Sequence, residues 1–127
     1  TKGLLDGLPQ ALPGLNLAHE IQDRAARVGF DWETIDPVVA KLREELEEVL
    51  NAPEEEREGE LGDLLFAVVN LARWYKVDPE NALRQTNRRF RQRFTHIEKR
   101  AREAGRSLAE MTLAEMDAWW DEAKRLE

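Results

Sequence analysis

The sequence lacks cysteine, has only two histidines, and contains no run of 18 apolar residues. Without cysteine it cannot form disulfides, a zinc–thiolate site or a thiol nucleophile. His19 and His96 have no partner at metal-ligand spacing, so we interpret both as ordinary surface or edge histidines. Because no signal peptide or long apolar run is present, we expect a cytoplasmic protein that does not engage membranes.

An excess of positive charge is also missing, since the net charge is −7. Proteins that bind nucleic-acid polymers need a basic footprint, so we expect no such partner, although a local basic patch can still hold a small anion. Sustained strand alternation is absent too. A composition with 35% charged and 7% aromatic residues is typical of helical proteins. The sequence therefore predicts an all-α fold.

Cap and stop signals divide the sequence into helices. Asn16 is a candidate N-cap, and Asp36 and Asp78 each precede a proline suited to the first helical position. Ser107 and Thr112 both begin capping-box patterns. The predicted helices are Asn16 to Gly29, Asp36 to Leu50, 54–75, Asp78 to Gly105, and 113–126.

These helices predict a four-helix bundle with flanking helices, in one domain at residues 15–127 that follows an irregular lead-in at 1–14. The helix at 54–75 is apolar almost all round, and such helices are normally buried. Four tryptophans and this apolar helix present more apolar surface than we expect a small lone bundle to cover. A symmetric homodimer would cover the excess.

Two helices each carry a pair of acids at i,i+3 spacing. Glu45 and Glu48 form one pair, and Glu60 and Asp63 form the other. Each acid alone could be a solvated or salt-bridged side chain, but together they would repel and raise one another's pKa. A divalent cation would remove that conflict. Oxygen ligands select Mg²⁺, with Mn²⁺ as a substitute, and Mg²⁺ commonly serves phosphate chemistry.

The fourth predicted helix supplies positive charge. Arg89 and Arg93 lie at i,i+4 on one flank of its apolar stripe. Guanidinium groups bind phosphate oxygens bidentately, although surface arginines that pair with acids would look the same. From spacing alone, we interpret the chain as a Mg²⁺-dependent helical domain that acts on a phosphate ester or anhydride.

Two motifs of this chain, Glu44-Glu45-x-x-Glu48 and Glu60-x-x-Asp63, resemble those of MazG-type nucleoside triphosphate pyrophosphohydrolases. Each motif is short, but their order and context match that family. The resemblance covers nearly the whole chain, because it extends to Leu5–Pro9, Arg24–Trp32, Asn87–Phe94 and Met116–Lys124.

The resemblance implies an all-α domain that dimerises, so that helices of two chains complete a bundle. It implies Mg²⁺-dependent cleavage of nucleoside triphosphates between the α and β phosphates by metal-activated water, which yields a nucleoside monophosphate and pyrophosphate. By motif position, the metal ligands would be Glu45, Glu48, Glu60 and Asp63. Glu44 would act beside Glu45 in catalysis, either by supporting the metal ligands from behind or by orienting the water.

The resemblance also implies residues that hold the substrate. Lys41, Arg89 and Arg93 match positions expected to hold phosphates, and Trp120 matches one near the nucleotide. Asn70 and Asn87 are polar groups in apolar stripes that could also touch substrate. Fuller members of the family carry two such domains in tandem. The lead-in and the missing initial methionine make this chain look like the C-terminal domain of such a pair.

Three alternatives stay open. The chain could be a hydrolase specialised for deoxynucleotides or modified nucleotides, because no base-reading group is identifiable. It could be a non-catalytic module that binds nucleotide or dimerises. It could also be a structural helical domain that binds a protein partner. Mg²⁺ and nucleotide would leave the stability of that last class unchanged, whereas a true ligand must raise it.

Overall fold

The structure, a computed structural model, describes residues 3–9 and 11–127. Its described part contains helices and turns but no strand, which confirms the all-α fold. None of its helices is long and apolar enough to span a membrane. Short 3₁₀ turns precede the third and fifth helices. The α helices are α1 (Gly14–Arg27), α2 (Ile35–Asn51), α3 (Arg57–Trp74), α4 (Pro79–Glu103) and α5 (Leu113–Arg125).

The chain divides into two compact units, Thr1–Ala82 and Leu83–Glu127, and the division falls inside α4. In the first unit, α2 and α1 both pack against α3. The side chains of Val38 on α2 and Val69 on α3 are fully buried there. Gln22 of α1 donates a hydrogen bond of 2.9 Å to the backbone oxygen of Phe66, which joins α1 to α3. Helix α3 is therefore the central element of this unit.

In the second unit, side chains of α5 contact the part of α4 that follows residue 82. The rings of Phe90 and Trp120 lie 5.3 Å apart at an angle of 56°, which is an arrangement that aromatic pairs favour. The buried residues of this unit include Ile97, Ala101 and Ala123. The predicted division of the chain into 1–14 and 15–127 stays a prediction.

Several predicted helix boundaries are confirmed. Asp78 caps α4, because its Oδ1 accepts hydrogen bonds from the backbone N–H groups of Glu80 and Asn81 at 3.0 and 3.2 Å. Gly29 and Gly105 follow the ends of α1 and α4 with φ angles of +91° and +66°. This left-handed conformation costs glycine little, because it has no Cβ.

Three predicted caps are wrong. Helix α1 begins at Gly14 rather than at Asn16, because Pro13 has a φ suited to helix entry and its carbonyl accepts the N–H of Leu17 at 2.9 Å. Helix α2 begins at Ile35, so Asp36 is inside the helix. The first N–H groups of a helix have no internal partner, so Pro37 is tolerated in its first turn. Ser107 forms no side-chain cap and precedes only a 3₁₀ turn.

The prediction that α3 is buried all round is wrong for the single chain. Leu61, Leu65 and Val68, which lie on one face at i, i+4 and i+7, are 47%, 57% and 44% exposed. The buried residues of α3, Ala67 and Val69, lie on other faces of the helix. Within the described residues, α3 therefore presents an apolar face that no other element covers.

The cap of α5 allows a test of fold stability. Thr112 Oγ1 accepts the N–H of Glu115, and the Glu115 carboxylate accepts the N–H of Thr112, both at 3.1 Å. We expect Thr112→Ala to lower the free energy of unfolding by about 1 kcal/mol in urea titrations, because one helix N–H loses its partner. Ser107→Ala is the matched control and should change it little. Equal losses in both variants would contradict this account of the cap.

Candidate metal centre

Three carboxylates converge where α2 packs against α3. Glu45 of α2 and Glu60 and Asp63 of α3 each offer an oxygen, and these oxygens lie within 4.8 Å of one another. Glu45 is buried, Glu60 is half-buried and Asp63 is exposed. The cluster thus reaches from the helix interface to solvent. Because Glu60 and Asp63 are one turn apart, a single face of α3 presents both.

The unpaired oxygens of this cluster fit a cation. Glu45 Oε2 and Glu60 Oε2 are both buried, and neither has a hydrogen-bond partner among the described residues. A buried carboxylate oxygen without a partner is costly. Oxygens from carboxylates at this spacing are the donors that Mg²⁺ and Mn²⁺ prefer, so the residues present suit such an ion.

Glu48, the fourth predicted ligand, lies beside the cluster rather than within the group of three. Loss of hydration, the charge of Glu45 and the contact with Glu60 together raise the pKa of Glu48 to about 7. Loss of hydration and crowding of like charges both raise a carboxyl pKa, because each disfavours the charged form. Glu48 therefore interacts with an acid of its own helix, Glu45, and with an acid of α3, Glu60.

Lys41 partly offsets the charge of the cluster. Its Nζ lies 2.9 Å from Glu45 Oε1 and 3.6 Å from Glu44 Oε1. The hydrogen bond to Glu45 raises the pKa of Lys41 above its usual value. Glu44 itself is exposed, on the solvent side of α2. The predicted phosphate contact of Lys41 stays a prediction, since its partners in the structure are these two acids.

Asn70 lies on the same face of α3 as Asp63, two turns further along. Its Oδ1 accepts hydrogen bonds from Arg73 Nε at 3.0 Å and Nη2 at 2.8 Å. Arg73 also forms a bidentate pair with Asp31, at 3.1 and 2.6 Å, and this bonding lowers the pKa of Asp31. Spacing along the sequence does not predict this pairing, because Asp31 and Arg73 are 42 positions apart.

In the second unit, two predicted substrate residues contact each other. The Arg93 guanidinium lies 5.2 Å from the centre of the Trp120 ring, within the range of a cation–π interaction. Arg93 also donates to both carboxylate oxygens of Glu127 at 2.7 and 3.0 Å. Arg93 and Trp120 therefore form one joined surface, which spacing alone did not predict.

The other two predicted contacts on α4 are exposed. Asn87 faces solvent, and Arg89 Nη2 donates to Thr86 Oγ1 at 3.1 Å.

Both histidines have acidic neighbours, since His96 Nε2 lies 2.8 Å from Glu122 and His19 Nε2 lies 3.6 Å from Asp23.

The described residues form helices with a carboxylate cluster between two neighbours, which places the chain among helical domains able to bind a divalent cation. A family model described as the MazG nucleotide pyrophosphohydrolase domain matches residues 33–98, the span that contains the whole cluster. The chain belongs to this family, as the motifs of α2 and α3 predicted.

Curated relatives agree with this assignment. A Thermotoga maritima protein named nucleoside triphosphate pyrophosphohydrolase/pyrophosphatase MazG is 43% identical over 89% of this chain and 45% of its own length. The nucleoside triphosphate pyrophosphohydrolase of Escherichia coli K12 is 41% identical over 97% of this chain and 49% of its own length. Bacillus subtilis YabN, named as uncharacterized, is 49% identical over 98% of this chain and 26% of its length. This chain thus spans about half or less of each of these relatives.

The raised pKa of Glu48 predicts how the metal-free protein responds to pH. Glu48 holds its proton more tightly in the folded chain than in the unfolded chain, so stability falls as pH rises from about 4.5 to about 7. In EDTA, we expect Glu48→Gln to remove this loss, so the variant gains stability over the parent between pH 5 and pH 8. Urea titrations at both pH values measure the difference.

Glu47→Gln is the matched control, because Glu47 is an exposed neighbour on α2. It should keep the pH dependence of the parent protein. If Glu48→Gln and the parent show the same change between pH 5 and pH 8, crowding of the carboxylates does not govern this titration.

Proposed function

We propose that this chain hydrolyses nucleoside triphosphates between the α and β phosphates, and releases a nucleoside monophosphate and pyrophosphate. One observation carries the proposal: a chain of the MazG family brings Glu45, Glu60 and Asp63 together, and two of their buried oxygens have no hydrogen-bond partner in the described part of the chain. A cation that meets those oxygens would also attract the triphosphate.

Glu45, Glu48, Glu60 and Asp63 are the proposed ligands of Mg²⁺, for which Mn²⁺ could substitute. When bound, the ion would supply charge neutralisation at the phosphates and a more acidic water. Asp63, as the exposed member, is the ligand best placed to meet an arriving substrate complex. Glu44 is exposed beside buried Glu45, so its carboxylate is available to orient the attacking water and accept its proton.

The remaining predicted residues would hold the substrate. Lys41 would exchange one of its acidic partners for a phosphate once a cation compensates Glu45. Arg89 and Arg93 would stabilise charge on the phosphate oxygens. Trp120 would offer a ring to the base, and ring stacking tolerates different bases. Asn70 and Asn87 are the proposed polar contacts.

The uncovered apolar face of α3 supports a homodimer. Leu61, Leu65 and Val68 form one exposed apolar surface on α3. Contiguous exposed apolar surfaces commonly mark an interface with a partner. A symmetric copy of the chain would bury the same three residues on both sides of the interface. A cytoplasmic location, where nucleoside triphosphates occur, also stays part of the proposal.

The activity test measures pyrophosphate and monophosphate released from the eight common NTPs and dNTPs, with and without Mg²⁺. We expect Mg²⁺-dependent release of both products in equal amounts. Asp63→Asn should lower kcat/KM roughly 1000-fold while the circular dichroism spectrum stays unchanged, because a metal ligand is lost.

Glu58→Gln, an exposed change near the start of α3, is the control and should retain full activity. Activity confined to dNTPs would indicate the specialised hydrolase. Nucleotide binding without any product from a folded sample would favour the non-catalytic module instead. Full activity in Asp63→Asn would remove that residue from the ligand set.

The dimer is tested by analytical ultracentrifugation. We expect a dimer for the parent chain and a dissociation constant about 100-fold higher for Leu65→Lys, because each copy loses a buried leucine. Leu113→Lys is the matched control, since Leu113 is 79% exposed on α5. A monomeric parent chain, or a dimer that Leu65→Lys leaves intact, would refute this interface.

A further inference from the structure

Asp31, Arg73 and Asn70 form a chain of hydrogen bonds, and its Asp31 and Arg73 members have no role in the reaction proposed above. Asp31 accepts two hydrogen bonds from Arg73, and Arg73 donates two more to Asn70 Oδ1. Arg73 is mostly buried, with 13% of its side chain exposed. An arginine that donates to two acceptors, here Asp31 and Asn70, is held in one orientation, because its planar guanidinium group bonds both at once.

The chemistry of Arg73 determines which end of the Asn70 amide is free for a ligand. Arginine has only N–H donors, so the amide group of Asn70 must turn its oxygen toward Arg73. The assignment therefore follows from donor and acceptor types, although amide oxygen and nitrogen look alike in shape. Because Asn70 Oδ1 already accepts two hydrogen bonds from Arg73, the amide can offer a ligand only the two N–H donors of Nδ2.

The position of Asn70 relates it to the carboxylate cluster. It follows Asp63 by two helical turns on the same face of α3, a rise of about 10.5 Å along the axis. If the α phosphate lies at the cluster, the sugar and base extend over a distance of this order. Phosphate oxygens would thus lie near Asp63, and the nucleoside part would reach toward Asn70.

We propose that Asn70 Nδ2 donates to a hydrogen-bond acceptor on the nucleoside part of the substrate, and that Arg73 and Asp31 are positioning residues that hold the amide in this orientation. The inference rests on the proposed function, because it uses the cluster as the phosphate site. The acceptor is a ring nitrogen, a carbonyl oxygen of the base or a sugar oxygen. An exocyclic amino group, which only donates, would be rejected.

The same chain of contacts reaches the loop before α2. Asp31 Oδ1 accepts the backbone N–H of Trp32 at 2.8 Å, so Arg73 also holds this loop against the end of α3. Trp32 is 47% exposed. The positioning residues therefore link the Asn70 donors to a loop that carries an accessible aromatic ring.

The experiment compares two ligands that share the phosphate site but differ in the nucleoside. Calorimetry measures the binding of an α,β-imido nucleoside triphosphate and of pyrophosphate, each with Mg²⁺. We expect Asn70→Ala and Arg73→Ala each to weaken nucleotide binding about 3- to 10-fold, the range for one lost hydrogen bond. Pyrophosphate binding should not change. In the double variant, the loss should be no greater than in Asn70→Ala alone, because the residues act through one donor.

Asn70→Asp separates recognition from structural support. The carboxylate still accepts from Arg73, and its charge strengthens that bond, so the melting temperature should hold or rise. It has no N–H donor, however, so nucleotide binding should fall at least as much as in Asn70→Ala. Arg24→Ala is the matched control, because Arg24 donates to the backbone oxygens of Leu4 and Asp6 and has no described contact with Asn70 or Arg73. It should leave the binding of both ligands unchanged.

Each outcome has one meaning. Nucleotide binding by Asn70→Asp at the parent level would overturn the donor role. Equal loss of pyrophosphate and nucleotide in Arg73→Ala would show that Arg73 supports the phosphate site or the fold, and would overturn the positioning role. A parent chain that binds neither ligand would refute the proposed function and this inference together. A parent chain that cleaves nucleotides, with variants that bind normally, would refute the inference alone.

Discussion

The repulsion among carboxylates between α2 and α3 is the constraint on which the rest of the first unit depends. Packing of these two helices buries Glu45 beside Glu60 and Asp63. Two of the carboxylate oxygens have no hydrogen-bond partner within residues 3–9 and 11–127. Burial of unpaired charge opposes folding, so the surrounding contacts must compensate for it. Lys41 does so in part through its 2.9 Å contact with Glu45. The remaining unpaired carboxylate oxygens make the cluster suited to a cation.

The faces of helix α3 differ in chemical character. One face carries Glu60, Asp63 and Asn70, and another carries the apolar residues Leu61 and Leu65. A helix with polar and apolar groups on separate faces can pack against its own chain, hold a ligand and offer an interface at the same time. A small domain has few helices among which these separate surfaces could be divided. Changes on one face of α3 should therefore be separable from changes on the other.

Much of the fold was predictable because it depends on local interactions. The helix ends at Gly29 and Gly105 and the caps at Asp78 and Thr112 involve groups within a few residues of one another. The predicted cap at Asn16 was wrong because α1 begins two residues earlier, directly after Pro13. Part of the candidate site was equally local, since i,i+3 spacing places Glu60 and Asp63 on one helix face. Their function as ligands, and that of Glu45 and Glu48, stays a prediction.

The sequence by itself determined the helical class, the family and the residues able to bind a cation, because periodicity and motif order are properties of neighbouring positions. Only the tertiary structure decided which of those acids converge, which face of α3 stays uncovered and what holds Asn70. The bond between Asp31 and Arg73 joins positions 42 residues apart. No spacing rule connects such positions, since their distance depends on how α1, the loop after it and α3 pack in three dimensions.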